Sequence, residues 1–189
     1  MSHHDRSRAS LRDRIRDTEA DLFASFGSGV EERFLDLERT GVRTRVLSHG
    51  SGPPLVLLHG VSLSAAAWAP LFAELQGFQL LAVDLPGHGL SDPVRYQHGH
   101  VREHAHRLID DILDALGLDS VPVIGHSLGG MFALWHAAAE ADRISALIAV
   151  GVPAVALPRV LPEHPRVVVG CLSSRWRRRV ARDRNDAQV

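Results

Sequence analysis

The sequence is poor in cysteine and contains no lysine. Its 189 residues include one cysteine and no lysine, so all 21 basic side chains are arginine. The single cysteine, Cys171, excludes an internal disulfide and fits a reducing compartment, so we expect a cytoplasmic protein. We interpret the exclusive use of arginine as the coding bias of a GC-rich genome, since no chemistry excludes lysine so uniformly.

Long apolar runs and a strong net charge are also absent. No run approaches the ~18 apolar residues that a membrane-spanning helix needs, and the N-terminus lacks the apolar centre of a signal peptide. The formal net charge of −1 gives no general reason to expect binding to nucleic acid or to an acidic membrane. A hydrophobic content of 45% is typical of a globular domain. We therefore expect a domain with one hydrophobic core that binds neither nucleic acid nor a membrane.

The most informative stretch is residues 121–130, which read Val-Pro-Val-Ile-Gly-His-Ser-Leu-Gly-Gly. A β-branched run ends in Gly-x-Ser-x-Gly, and a helical pattern follows from Met131. This order predicts a strand, a sharp turn with Ser127 at its apex, and a helix. Gly125 and Gly129 would flank the serine because a β-carbon at either position would collide with the neighbouring strand or helix. The turn would hold Ser127 in a strained backbone conformation.

Two further apolar segments precede this turn. Residues 55–60 read Leu-Val-Leu-Leu-His-Gly, and residues 80–92 begin with Leu-Leu-Ala-Val-Asp and continue into a Pro/Gly loop. With the serine turn following at this spacing, residues 31–158 resemble the α/β-hydrolase superfamily, above all its bacterial esterases, lipases and C–C hydrolases. The resemblance implies an α/β fold with a mostly parallel sheet of six strands flanked by helices.

The resemblance also implies a catalytic triad in the order serine, acid, histidine. The family places its acid and histidine after late strands of the sheet, and this sequence has no clear strand pattern after the sixth. We therefore expect the C-terminal part of the fold to be missing, together with those two positions. Downstream of Ser127 only His136 and His164 remain. The helix should carry His136 away from the site, and Glu163 cannot easily orient the neighbouring His164.

Acyl transfer by a serine requires a nucleophile, a base oriented by an acid, and two donors for the oxyanion. Ser127 is the candidate nucleophile, and the backbone amide of Leu128, at the start of the helix, is one candidate donor. By the resemblance, the second donor is the amide of Val61, and the residues next to the substrate are His59, Gly60 and His126.

We expect a serine-dependent hydrolase that cleaves an ester or a related bond of a small molecule through an acyl-enzyme at Ser127. Haloalkane dehalogenases and epoxide hydrolases of this fold use aspartate at the turn, so the serine argues against both. No cofactor is expected, because the nucleophile and the oxyanion donors carry the chemistry. The alternative is a catalytically impaired or non-catalytic member of the fold that binds a ligand.

A group of histidines at positions 98, 100, 104 and 106 suggests a metal site at first sight. His100 and His104 are four residues apart and would share one face of a helix, a spacing that zinc can use. No cysteine or well-placed third ligand accompanies them. We therefore interpret them as the polar face of a helix and expect no metal.

The chain divides into three segments: an N-terminal helical extension (1–30), an incomplete hydrolase core (31–158) and an irregular Arg-rich tail (159–189). From Arg166 onward the tail has seven arginines and two aspartates. It is either a natural basic segment that binds polyanions or an out-of-frame translation of a GC-rich gene, and we favour the second. Residues 166–170 are a weak strand candidate. Without a following strand, residues 144–150 would form an exposed apolar edge.

Overall fold

One seven-stranded sheet organises the chain in the computed structural model, which describes residues 3–94, 100–140, 142–153 and 167–170, with 3–10 and 167–170 described by their backbone alone. The strands are β1 (Glu31–Leu37), β2 (Val42–His49), β3 (Pro54–Leu58), β4 (Gln79–Val83), β5 (Val121–His126), β6 (Ile144–Val150) and β7 (Val167–Gly170). The helices are α1 (His3–Ser25), α2 (Ala69–Glu74), α3 (Val101–Ala115) and α4 (Ser127–Ala139).

The sheet is mostly parallel. Its spatial order is β1-β2-β4-β3-β5-β6-β7. The pairs β1–β2 and β2–β4 are antiparallel, and the other four pairs are parallel. The predicted α/β fold with helices flanking a mostly parallel sheet is confirmed.

The sheet has one strand more than the six expected. β7 lies where the sequence predicts a strand only weakly, because four residues are too few to show a period. It pairs in parallel with β6, from Leu147 opposite Val167 to Val150 opposite Gly170. The expectation that β6 would be an exposed edge is therefore wrong, since one row of its backbone groups faces β7.

Apolar layers cover both faces of the sheet. On one face, α3 and α4 bury side chains such as Leu108 and Phe132 against the strands. On the other face, the ring of Phe23 from α1 lies 5.0 Å from the ring of Phe72 in α2, and both are fully buried. β3 and β4 are apolar at nearly every position because both of their faces are covered.

The N-terminal helix is mostly polar and packs onto the sheet through few apolar contacts. α1 begins at His3, before the apolar pattern that starts at residue 11. Of its large apolar side chains, Leu11 and Leu22 are exposed and Phe23 is buried. No helix in the described part of the chain is long and apolar enough to cross a membrane.

The sequence pattern predicts one crossover helix over residues 64–75, but the structure has a 3₁₀ turn (Ala65–Trp68) followed directly by α2. The Ser64 hydroxyl caps the turn by accepting a hydrogen bond from the Ala66 N–H at 3.3 Å. Pro70 lies in the first turn of α2, where its missing N–H leaves no helical hydrogen bond unmade. The same proline prevents the two pieces from joining as one regular helix.

Candidate active site

Ser127 lies at the apex of the sharp turn that Gly-x-Ser-x-Gly predicts. β5 ends at His126, and α4 begins at Ser127, four residues before the predicted helix start at Met131. The φ of Ser127 is 48°, in the left-handed region that non-glycine residues rarely adopt. Such a conformation persists only where the surrounding structure holds it. Ser127 is partly exposed, so the turn presents it to solvent and to ligands.

Glycines around this turn allow strands and helix to meet in direct backbone contact. A Cβ on Gly125 would lie 2.5 Å from the Cα of Gly130 in α4. A Cβ on Gly129 would lie 2.5 Å from the carbonyl oxygen of Leu58 and 2.6 Å from that of His59. The Gly129 N–H also donates a hydrogen bond to the His59 carbonyl at 3.1 Å. The predicted need for glycine on both sides of the serine is confirmed.

The sheet topology brings the loop after β3 beside Ser127. From β3 the chain passes to β4 on one side and then returns to β5 on the other, so the connections that leave β3 and β5 diverge at a switch point. Leu58 lies opposite Gly125 in the register of these strands. Two residues further on, a Cβ on Gly60 would lie 3.1 Å from the Cβ of Ser127 and 2.6 Å from His126 Nδ1.

Two hydrogen bonds hold the peptide group between Gly60 and Val61 by its carbonyl oxygen. The Gly60 carbonyl oxygen accepts a hydrogen bond from His59 Nδ1–H at 2.7 Å and another from the Leu63 N–H at 3.2 Å. A trans peptide points its C=O and N–H in opposite directions. Anchoring the carbonyl therefore fixes the direction of the Val61 N–H, the predicted second oxyanion donor. The Val61 side chain is 62% exposed, so little covers this loop.

His59 acts on this loop through the backbone. It is fully buried, and its Nε2 accepts a hydrogen bond from the Leu85 N–H at 3.0 Å, which places the ring proton on Nδ1. Burial lowers the pKa of His59 and outweighs the hydrogen bond to Gly60 and the charge of Asp84, which raise it. The ring is therefore neutral at neutral pH, and both nitrogens are occupied by backbone groups.

This arrangement predicts that acid weakens the fold. A folded-state pKa below the unfolded value of about 6.5 means that the unfolded chain takes up the proton first as the pH falls. Burial lowers the pKa of His104 and His106 as well. We expect the free energy of unfolding to decrease from pH 7 to pH 5, by at most about 1.4 kcal/mol per pH unit for each histidine. Urea titrations across this range measure it.

A matched pair of variants tests whether the buried ring of His59 contributes to this pH dependence of stability. His59→Gln removes one of the buried rings and should reduce the slope of stability against pH, even if it lowers stability at every pH. His100→Gln removes an exposed ring on α3 and should leave the slope unchanged. A stability that is flat or rises as the pH falls from 7 to 5 would contradict the assignment.

A buried ion-pair network supports the loops around the site. Asp84, directly after β4, accepts hydrogen bonds from the N–H groups of Ala65 and Leu90 at 2.6 and 2.8 Å, so it braces the Pro/Gly loop. Its Oδ2 also accepts a hydrogen bond from Arg45 Nε at 2.6 Å. The other two guanidinium nitrogens of Arg45 bind both carboxylate oxygens of Glu19 in α1.

Sequence reasoning missed this network. Arg45 has the pattern of a solvent-facing residue of a hairpin strand, yet its side chain is 1% exposed. Burial lowers its pKa, but the hydrogen bond to Glu19 and the charge of Asp84 outweigh this and raise the pKa above its ordinary value. Arg45 therefore stays charged and links α1, β2 and the loop after β4. The one local signal was that two apolar residues directly follow the arginine in Thr-Arg-Val-Leu.

An apolar cavity of about 160 Å³ opens beside the turn that carries Ser127. It is lined by His59, Leu63, Ala67, Trp68, His126 and Val150. A larger cavity of about 440 Å³ lies between Arg39 and α3, has a mainly polar lining and contains no residue of the turn that carries Ser127. The smaller cavity is therefore the one placed to receive part of a ligand held at Ser127.

A base for Ser127 is not found among the residues that the structure describes, where the serine hydroxyl makes no hydrogen bond. His136 lies nine residues along α4, roughly 13 Å away, and its buried ring binds Asp110. The ring of His126 packs against Gly60 and Gly151. His164 and Glu163, Cys171 and the segment 171–189 of the Arg-rich tail lie outside the described residues.

Of the histidines predicted to form a polar helix face, His104 and His106 lie on α3 and are partly buried, His100 directly precedes α3, and His98 lies outside the described residues. His100 is the residue directly before the helix, and its Nδ1–H donates a hydrogen bond at 3.2 Å to the carboxylate of Glu103, three residues further. Within the described ranges, the one group of three side chains close enough to share a metal ion lies elsewhere, at the far end of α4 from Ser127.

Comparison with known proteins agrees with this fold. A family model described as the alpha/beta hydrolase fold matches residues 53–186. A haloalkane dehalogenase of Agrobacterium fabrum is 34% identical over 131 residues, covering 69% of this chain and 42% of that protein. A 2-hydroxy-6-oxononadienedioate/2-hydroxy-6-oxononatrienedioate hydrolase of Dechloromonas aromatica is 36% identical over 135 residues, covering 65% and 42%.

A solved structure gives the same result. The haloalkane dehalogenase DatA from Agrobacterium tumefaciens C58 superposes with a TM-score of 0.60 at 32% identity, over 68% of this chain and 43% of that chain. The chain thus spans about two fifths of the length of these relatives. The family match covers the loop after β3, the Asp84 loop and the turn that carries Ser127 in one alignment, and on that basis this chain belongs to the alpha/beta hydrolase fold family.

Proposed function

We propose that this chain carries the nucleophile and the oxyanion donors of a serine hydrolase, which cleaves an ester or a related bond of a small molecule. The observation that supports this most is the left-handed conformation of Ser127 at the start of α4, with the backbone of Gly60 packed against it. A strained serine at a strand-to-helix turn has no packing role that a glycine would not serve better.

In the proposed reaction, Ser127 Oγ attacks the carbonyl carbon of the substrate and passes its proton to a base. The carbonyl π electrons move to the oxygen, which becomes the oxyanion of a tetrahedral intermediate. The amides of Leu128 and Val61 would donate hydrogen bonds to that oxygen, each worth on the order of 10²–10³ in rate. Collapse of the intermediate expels the leaving group, which takes the proton, and leaves an acyl group on Ser127. Water then releases the acid by the reverse sequence.

His59 supports this reaction as a positioning residue. Because its ring is buried and binds the backbone on both sides, its proposed role is to hold the Gly60–Val61 peptide rather than to touch the substrate. Gly60 contributes by the absence of a side chain, which would meet His126 and Ser127. His126 lies in the cavity wall and would contact the bound substrate.

The acid and base of the triad would come from outside the described residues. His164 is the remaining histidine after α4 and lies in that part of the chain. A nucleophile with its oxyanion donors but without a base retains a small part of the full rate enhancement. We propose that complete turnover depends on a histidine supplied from residues that follow β6.

The cavity suggests the size of the group bound at the site. A cavity of roughly 150 Å³ accepts a group about as large as benzene. With about 160 Å³ and a mainly apolar lining that includes Leu63, Trp68 and Val150, the site favours a short aliphatic or single-ring acyl group over a charged one. The serine at the turn favours acyl transfer over dehalogenation or epoxide opening, for which the family uses aspartate. No cofactor is needed, and the single cysteine supports a cytoplasmic location.

Labelling with a fluorophosphonate probe tests the proposal. We expect the full chain to be labelled and Ser127→Ala to lose labelling completely, because the probe reacts only with an activated serine hydroxyl. Ser120→Ala is the matched control, since Ser120 precedes β5 at its opposite end and is exposed. Labelling is read by intact-protein mass spectrometry, with circular dichroism to establish that each sample is folded.

The second candidate is a binding protein that keeps the cavity without the chemistry. The absence of a base beside Ser127 among the described residues favours it. A folded wild-type sample that resists labelling, yet binds short-chain esters without hydrolysing them, would support this alternative and overturn the proposed hydrolase. Labelling of Ser127→Ala at the wild-type rate would show that the probe reacts at another residue.

A further inference from the structure

We propose that α3 and α4 together bind a divalent cation of the zinc class, at the end of α4 that lies away from Ser127. Three of the ligands would be Asp110 from α3, His136 from α4 and Glu140, the residue that follows α4, and His106 from α3 would be the fourth. This inference does not depend on the proposed hydrolase activity.

Each helix contributes a histidine and a carboxylate four residues apart. His106 and Asp110 share one face of α3, and His136 and Glu140 share one face of α4, because residues at this spacing are neighbours on a helix surface. α3 and α4 pack side by side on the same face of the sheet. The two pairs therefore face one another across the interface between the helices.

The distances fit one bound ion. His136 Nε2 lies 2.8 Å from Asp110 Oδ1, and one ligand atom from each of Asp110, His136 and Glu140 lies within 4.8 Å of the others. Two ligand atoms at about 2.1 Å from a tetrahedral zinc are roughly 3.4 Å apart, so small side-chain rotations would suffice.

His106 lies beside this group but outside the set of ligand atoms within 4.8 Å of one another, so its side chain would have to rotate to supply the fourth ligand. Its ring centre lies 5.7 Å from that of His136. Two imidazoles on the same tetrahedral zinc have ring centres roughly 5–6 Å apart, given a Zn–N distance of about 2.0–2.1 Å. The four ligands would thus supply two nitrogens and two oxygens, with one nitrogen and one oxygen from each helix and its cap.

The donor set selects the kind of cation. Imidazole nitrogen suits zinc and its neighbours in the transition series, whereas magnesium and calcium prefer sites built from oxygen alone. His136 is fully buried and Asp110 is mostly buried, so water competes weakly at their side of the site. Glu140 is exposed at the end of α4 and offers the route by which the ion enters.

A simpler arrangement makes a different prediction. If His136 and Asp110 only form a hydrogen bond that joins the two helices, then Glu140 and His106 take no part and no cation binds. Because Glu140 is the exposed cap residue of α4, replacing it should not affect folding. It therefore separates the two possibilities better than the buried His136, whose replacement could unfold the protein.

Zinc titration of the full chain by calorimetry and thermal unfolding is the test. We expect one Zn²⁺ per chain and a melting temperature about 5–10 °C higher at 100 times the dissociation constant. Glu140→Gln and His106→Gln should each weaken binding by at least ~10-fold, since even outer partners of a metal site are worth ~10–100-fold. Glu103→Gln is the control, because Glu103 pairs with His100 and Arg107 on α3 alone.

Several results would overturn the proposal. One is the lack of saturable Zn²⁺ binding to the folded wild-type chain. Another is equal affinity in the wild type, Glu140→Gln and His106→Gln, which would place any bound zinc elsewhere. A rise in melting temperature of the same size with Mg²⁺ would also count against it, since the site needs nitrogen ligands.

Discussion

Replacing Gly129 with alanine is expected to slow the fluorophosphonate labelling of Ser127 at least ~100-fold. The added Cβ would lie 2.5 and 2.6 Å from two carbonyl oxygens at the end of β3, and both belong to backbone that cannot rotate away. The start of α4 must therefore move away from the loop that carries Val61. A displacement of about 1 Å between reacting groups costs ~10²-fold in rate, and overpacking of this kind costs about 1–3 kcal/mol of stability.

Gly29→Ala is the matched control for this substitution. Gly29 has no positive φ, and a Cβ there would meet nothing within 4 Å. Its replacement should leave the labelling rate unchanged and the free energy of unfolding within about 1 kcal/mol of the wild type. Labelling rates are compared only between samples whose circular dichroism spectra agree. Wild-type labelling by a folded Gly129→Ala protein would contradict the proposed coupling between the helix start and the oxyanion loop.

Replacing Arg45 with methionine is expected to lower the free energy of unfolding by about 3–5 kcal/mol. Methionine fills much of the same volume but removes the only guanidinium that lies within hydrogen-bond distance of Asp84 among the described residues. Asp84 is fully buried, so its carboxylate would be left with two backbone donors and no opposite charge. Glu19 would lose both of its hydrogen bonds to Arg45, and α1 would lose its polar link to β2.

Arg43→Met tests whether burial causes this loss. Arg43 lies two residues earlier on the same strand, its side chain is 54% exposed, and its ion-pair partner Asp36 is 3.8 Å away. Exposed pairs of this kind contribute about 0–1 kcal/mol, so the control should cost little. Urea denaturation at pH 7 measures both variants. Equal losses for Arg43→Met and Arg45→Met would mean that the buried network adds nothing beyond a surface charge.

These two substitutions, Gly129→Ala and Arg45→Met, act on different but connected parts of the candidate site. Gly129 sets the distance between α4 and the end of β3, whereas Arg45 holds the loop after β4 that lies next to His59. The hydrogen bond from the Leu85 N–H to His59 Nε2 connects these two parts, because Leu85 directly follows Asp84, the partner of Arg45. We therefore expect Arg45→Met to reduce labelling of Ser127 as well, but by less than Gly129→Ala.

Local sequence patterns were sufficient to predict most of the elements. The bounds of β6 agree with the predicted residues 144–150. The alternation of apolar and polar residues in 31–38 and 42–48, on either side of Thr40 and Gly41, predicts a hairpin, and β1 and β2 form it. Both rest on short-range signals, namely an apolar run or an alternation bounded by turn residues. The turn that carries Ser127 was predictable for the same reason, since the Gly-x-Ser-x-Gly pattern lies within five consecutive residues.

Predictions that needed contacts between distant residues were less accurate. β7 was only weakly predicted because a four-residue strand is defined by its partner β6 and not by its own pattern. The single helix expected over residues 64–75 is divided because the start of α2 depends on Pro70 and on the cap at Ser64. The group of Asp110, His136 and Glu140 was not predicted, since it joins residues of two helices that are 26 or more positions apart in the sequence.

The sequence by itself determined that a serine would stand on a glycine-flanked turn between a buried strand and a helix. Tertiary structure alone decided what lies around that serine. The strand order places β3 next to β5, so that Gly60 meets Ser127, and the packing of α1 buries Arg45 between Glu19 and Asp84. The physical reason is that a turn is specified by the backbone preferences of neighbouring residues, whereas burial and ion pairing depend on which distant surfaces the sheet brings together.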